Sequence, residues 1–194
     1  MRLGKMIVVL VGATMFFSIV VASASARNFS ISERRLSATF SRVEFSGGFG
    51  TVRCNITLSR TLHGGTIPKV LETLIGYMTA VSVGGCETGS ATILGETLPW
   101  HLRYQGFLGT LPNILGIIRR IVGWAMQIRE PAFGITCLAT STAASPVTET
   151  MNREAGGRLS SLTLGGTVPT SCGINGTIRG TSNSITAPPV ITLI

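Results

Sequence analysis

The chain has 194 residues, with 16 Lys and Arg against 8 acidic residues, a formal net charge of +8, and no Asp at any position. Any Ser-His-acid triad would therefore need Glu as its orienting acid. The GxSxG, HExxH, P-loop and GxGxxG patterns are also missing, which removes the usual hydrolase, zinc-protease and nucleotide-binding signatures.

Residues 1–26 set the compartment. Arg2 and Lys5 precede an apolar run from Met6 to Val21, and small residues close the segment at Ala24-Ser25-Ala26. That order is the layout of a secretory signal peptide, with cleavage expected after Ala26 and Arg27 as the first residue retained. The run falls short of the roughly 20 residues that cross a bilayer, so no membrane anchor is expected and the mature chain shows no transmembrane span. Residues 27–194 then form a single secreted domain, extracellular or in the cell envelope.

The first third after the signal is the most basic part of the chain. Arg34, Arg35, Arg53 and Arg60 suggest a positive surface that could rest on an anionic envelope polymer. Paired Arg34-Arg35 and Arg119-Arg120 also invite a nucleic-acid reading. No interleaved aromatics or known binding module accompany them, and export argues against that partner.

Residues 51–63 alternate, with Val52, Cys54, Ile56, Leu58 and Leu62 on one face and Thr51, Arg53, Asn55, Thr57, Ser59, Thr61 and His63 on the other. This is the period of a half-buried strand, with Cys54 pointing inward. Ile67, Val70, Leu71, Leu74, Ile75 and Met78 then recur at steps of three and four behind Thr66, an N-cap residue. With Pro68 in the first turn and Gly76 as a stop, the spacing predicts a short helix over about 67–75. Alternation resumes at Tyr77, Thr79, Val81 and Val83.

From Ala91 to Phe107 the pattern is strand-like, with Leu98, Trp100, Leu102 and Tyr104 on one face and Thr97, His101, Arg103 and Gln105 on the other. Pro99 lacks a ladder donor, which implies an edge strand or a bulge. Trp100 and Tyr104 could form a stacking platform for a sugar ring, but their spacing beside Leu98 and Leu102 fits a core better. Residues 114–128 fit two structures. Wound as a helix they gather Ile114, Leu115, Ile117, Ile118, Ile121, Val122 and Trp124 on one broad side. Gly116 and Gly123 and the abundance of Ile favour a strand, which is the reading taken here.

Phe133 to Thr140 alternates again, with Ile135, Cys137 and Ala139 together. Residues 141–157, rich in Ser, Thr, Ala and Glu, read as a surface loop with a helical turn near Val147 to Arg153. Short strands are expected near 159–164, 167–172, 176–181 and 189–194, the last docked through Leu193 and Ile194. About eight to ten short strands with Gly-rich turns predict an all-β fold, an antiparallel sandwich or barrel.

Cys54, Cys86, Cys137 and Cys172 all lie in the exported part, where an even count suggests two disulfides. Several pairings are open at this point. A zinc site is disfavoured, because no CxxC is present and His63 and His101 are the sole histidines. No metal or cofactor is expected.

The run Glu96-Thr97-Leu98-Pro99-Trp100-His101, continuing through Arg103-Tyr104, Gly106-Phe107 and Gly109-Thr110-Leu111-Pro112-Asn113-Ile114, resembles a core shared by small exported bacterial proteins of unknown function. The similarity extends to the Cys54–Cys86 and Cys137–Cys172 regions. It implies the sequential disulfide pairing, Cys54 with Cys86 and Cys137 with Cys172, and a β-rich fold with a strand at 114–128. It implies no activity or ligand.

The functional expectation is a secreted, non-enzymatic β-protein acting as an extracellular or cell-envelope binding or structural module. Two alternatives belong to other classes. One is a small extracellular hydrolase using Glu96 and His101 for acid–base work. The other is a carrier holding an apolar ligand inside a barrel.

Overall fold

The computed structural model describes residues 28–194 except 49, 131 and 133; the signal segment and the cleavage point at Ala26–Arg27 lie outside the described residues. The strands are β1 (Asn28–Ile31), β2 (Arg35–Gly47), β3 (Gly50–Leu62), β4 (Thr66–Pro68), β5 (Leu74–Cys86), β6 (Ser90–Ile93), β7 (Trp100–Thr110), β8 (Asn113–Val122), β9 (Ala125–Glu130), β10 (Ile135–Thr140), β11 (Val147–Arg153), β12 (Leu159–Val168), β13 (Gly176–Thr186) and β14 (Ile191–Leu193). The fold is all-β and antiparallel. Eight strands close a barrel in the order β11-β12-β13-β2-β3-β5-β7-β8, with β8 returning to β11, so the choice between sandwich and barrel falls to the barrel.

The remaining strands cover the barrel's two ends. Topology places β14-β1-β4 at the end where β2 and β5 begin and β3 and β13 finish, and β10-β9-β6 at the opposite end. In the first sheet Phe29, Ile31, Ile67 and Ile191 are buried, and the Phe29 ring lies 6.1 Å from both Tyr104 and Phe107. In the second, Met126, Ile128, Cys137 and Ala139 are buried. Trp124, just before β9, stacks on Phe45 at 6.0 Å and meets the edge of Trp100 at 6.1 Å. The two disulfides, Cys54–Cys86 and Cys137–Cys172, both lie toward this end.

Alternation sets which side chains enter the lumen. Phe40, Phe45, Ile56, Leu58, Met78, Trp100, Leu102, Ile117, Ile121, Met151, Leu162 and Ile178 are buried in one continuous core. Hydroxyls dominate the outer wall of β2 and β3, where Ser37 meets Ser59 and Thr39 meets Thr57, each at 3.1 Å. Apolar inside and polar outside is the reverse of the lipid-facing wall of a membrane barrel. Among the described residues no helix is long and apolar enough to cross a membrane.

Several local expectations are corrected. No helix spans 67–75: Thr66–Pro68 is strand β4, paired with β1, and Leu74 opens β5. Of the residues at helical spacing, Ile67, Ile75 and Met78 are buried from two different strands, whereas Val70 and Leu71 are exposed in the turn between them. The apparent period of 3.6 arises from two alternating segments joined by that turn. The one helical element among the described residues is a 3-10 turn at Gly95–Thr97, which divides the expected long strand at 91–107 into β6 and β7.

Residues 114–128 are extended, as β8 and the start of β9. Gly123, at φ 88°, turns the chain between them, which explains why no single period fits the whole segment. Val147–Arg153 is neither loop nor helical turn but barrel strand β11, hydrogen-bonded to β8 and β12. No separate strand covers 167–172. On β5 a register shift between Ser59 and Arg60 of the partner strand leaves Thr79 extra, so Tyr77 pairs with Thr61 on the outer wall while Val81 and Val83 pair with inward Leu58 and Ile56.

Gly76 has a packing role rather than a helix-stopping one. A Cβ there would meet the Thr61 carbonyl oxygen and would lie 2.9 Å from the Leu62 Cα, both backbone atoms that cannot swing away. Gly76→Ala is therefore expected to destabilise the protein by about 1–3 kcal/mol, as overpacking does, measured as a lowered urea midpoint with unchanged slope.

Candidate functional site

Three charged residues occupy inward positions of the barrel. Arg60 follows Ile56 and Leu58 on β3, Arg119 lies between Ile117 and Ile121 on β8, and Glu149 lies between Val147 and Met151 on β11. All three are essentially without solvent contact, at 1%, 0% and 0% exposure. Arg119 and Glu149 are direct cross-strand partners, whereas β3 lies on the far side of the barrel from β11. Arg60 therefore crosses the lumen. Its Nη1 donates to Glu149 Oε1, and Arg119 Nη2 donates to Glu149 Oε2.

The electrostatics follow from burial and sign. Removal from water opposes ionisation of Glu149, but the charges of Arg119 and Arg60 outweigh it and hold the carboxyl below its usual range. Burial lowers Arg60 to about 10, with Glu149 opposing the fall. Arg60 therefore remains charged at neutral pH. Two guanidiniums share one carboxylate, so the triad carries a net positive charge.

This burial corrects the sequence-based surface patch. Arg60 faces the core, and Arg53, although on the wall, is bound to Glu44 at 2.8 Å, a carboxylate that Arg179 also contacts. Hydrogen bonds from Arg179 and Arg53 hold Glu44 below the usual carboxylate range. Arg34 and Arg35 remain on the surface.

Around Arg35 the outer wall carries a transverse row. Arg35 is opposite Thr61, Thr61 opposite Tyr77, and Tyr77 opposite His101, across β2, β3, β5 and β7. His63, just past β3, also reaches Tyr77, so the two histidines flank one phenol ring at centroid distances of 4.8 and 5.5 Å. Two shallow hollows meet at Arg35 and Thr61. One of about 280 Å³ is lined by Ser37, Ser59, Thr79 and Thr186, and one of about 310 Å³ by Ser32, Glu33 and Arg34.

The other candidate residues are placed as follows. Glu96 lies in the 3-10 turn and His101 is exposed on β7 with its ring against Tyr77; no hydrogen bond or ion pair joins them among the described residues. Trp100 and Tyr104 are buried, at 0% and 2% exposure, so they form core rather than a surface platform. All four cysteines are in disulfides, and no cluster of three or more His, Cys, Asp or Glu suited to a metal exists among the described residues.

Sequence reasoning missed the triad and the row for different reasons. The triad had a signal: each member sits in the inward register, flanked two residues away by apolar side chains. The row had none, because it depends on which strands are neighbours. Comparison of the chain with protein-family profiles, with curated proteins and with solved structures finds no match in any of the three.

Proposed function

We propose that this is a secreted, non-enzymatic binding module of the cell envelope or extracellular space, and that its wall row docks an acidic polysaccharide. The observation that carries the reading is the convergence of Arg35, Thr61, Tyr77, His63 and His101 on one face beside two hollows. Ring faces suit sugar rings, and hydroxyls suit sugar hydroxyls. Arg34 and Arg35 supply forked donors for carboxylates of the polymer. The disulfides are consistent with an oxidising compartment. The carrier reading is less favoured, because an apolar ligand in the lumen would lie against the charged triad of Arg60, Arg119 and Glu149.

Affinity electrophoresis in gels containing a uronic-acid polymer, a neutral glucan or neither tests the proposal. The protein is expected to be retarded by the acidic polymer alone, and less so as salt rises. Replacing Arg34 and Arg35 together by Ser should weaken retention roughly tenfold, the effect of about 1.4 kcal/mol. Equal retardation by both polymers, or none by either, sinks the assignment. Binding to anionic vesicles in place of the polymer would redirect it to a lipid surface.

A further inference from the structure

We propose that the barrel lumen is built to hold one small monovalent inorganic anion, of the halide class, against Arg60 and Arg119. Each guanidinium gives a single Nη to Glu149 and keeps the rest of its donors free. Arg60 Nε and Nη2 and Arg119 Nε and Nη1 are buried and have no protein partner. On Arg60 the two free atoms form the side-on edge, whose N–H bonds run parallel and suit one shared acceptor.

The surroundings supply no second acceptor of the right charge. Arg60 is opposite Leu36 and Met78 in register, and Arg119 is opposite Tyr104 and Glu149. The one other buried carboxylate among the described residues, Glu130, ends β9 in the covering sheet. Unpaired donors in an apolar interior are costly, and an unbalanced charge more so. A monovalent anion satisfies both at once, taking donors from both arginines and bringing the triad to neutrality. A divalent oxyanion would overshoot the charge, and a neutral water would leave the charge unbalanced.

Anion binding to the native state alone appears as a stabilisation that grows with the logarithm of anion concentration above Kd. Thermal unfolding is measured while sodium gluconate, too bulky for the lumen, is replaced by sodium chloride or bromide at constant ionic strength. The expected result is a Tm that is level below Kd and then climbs with the logarithm of halide concentration, by roughly 5–10 °C at a hundredfold excess over Kd. A triple variant, Arg60→Met with Arg119→Met and Glu149→Leu, should lose that rise. Identical melting in gluconate and halide, or a triple variant that keeps the rise, overturns the proposal. Should the triple variant fail to fold, crystals of the wild-type protein grown in bromide decide. An anomalous peak within contact of Arg60 Nε and Nη2 supports the site, and its absence overturns it.

Discussion

Glu149→Leu is expected to destabilise the protein by about 3–5 kcal/mol, read from urea denaturation, because it strands two buried guanidiniums without a counter-charge. The size of the effect measures the uncompensated cations rather than the worth of the ion pairs. Replacing all three members by apolar residues of similar volume is expected to be neutral or to stabilise by about 1–4 kcal/mol. Taking three charges out of water costs about what their pairing returns, so the intact triad contributes little net stability.

The same carboxylate sets an acid limit. Its folded pKa lies below the usual value of 4.5, so its contribution is complete above that value and is lost as pH falls through the folded pKa. Stability is therefore expected to decline below about pH 4.5, and the decline should be shallower in the all-apolar triple variant. Glu44, held low by Arg179 and Arg53, acts in the same direction from a half-buried position on the wall in both proteins.

The second large effect concerns the disulfides. They close segments with sequence separations of 32 and 35, and chain entropy makes each worth about 4 kcal/mol when removed by paired Cys→Ala substitution. Structure distinguishes what is lost. Cys54 and Cys86 already face each other across hydrogen-bonded β3 and β5, so the barrel ladder survives without the bond. Cys137 and Cys172 join covering strand β10 to the connection between β12 and β13, where a backbone bond from Thr140 to Pro169 and one from Ser171 to Leu138 give lesser support. Hydrogen exchange is expected to rise locally in β9, β10 and 169–175 for the Cys137/Cys172 variant. For the Cys54/Cys86 variant, protection should fall with global stability. Equal local exchange in both variants would contradict this division.

Much of the architecture was legible because burial imposes a period. The alternation at 51–63 located β3, and the Trp100-Leu102-Tyr104 face located the inner side of β7. The failures share a cause. Glu149 occupies an inward position of β11, and a charged residue in a Thr- and Asn-containing stretch reads as loop, so the strand that holds the site was concealed by the site. Arg60 was set among surface cations for the same reason. Its partner lies 89 residues away, and no local pattern announces a pairing made across a barrel. The Tyr77 row was hidden differently: its members come from β2, β3, β5 and β7 or their ends, and their adjacency follows from strand order alone.

The pairing of β1 with β14 bears on how the chain reaches this state. Asn28 and Ile194 exchange backbone hydrogen bonds at 3.1 Å, so the earliest described strand waits for the latest. One side of β1 can find β4 early, since little chain separates them, but its other side stays open until residues 191–193 emerge. Contacts between distant parts of a chain form slowly. An incompletely synthesised chain lacking those residues would present β1 as a bare edge, able to recruit strands from other molecules. Pairing with β14 thus covers an edge of β1 that local folding with β4 alone leaves open to association.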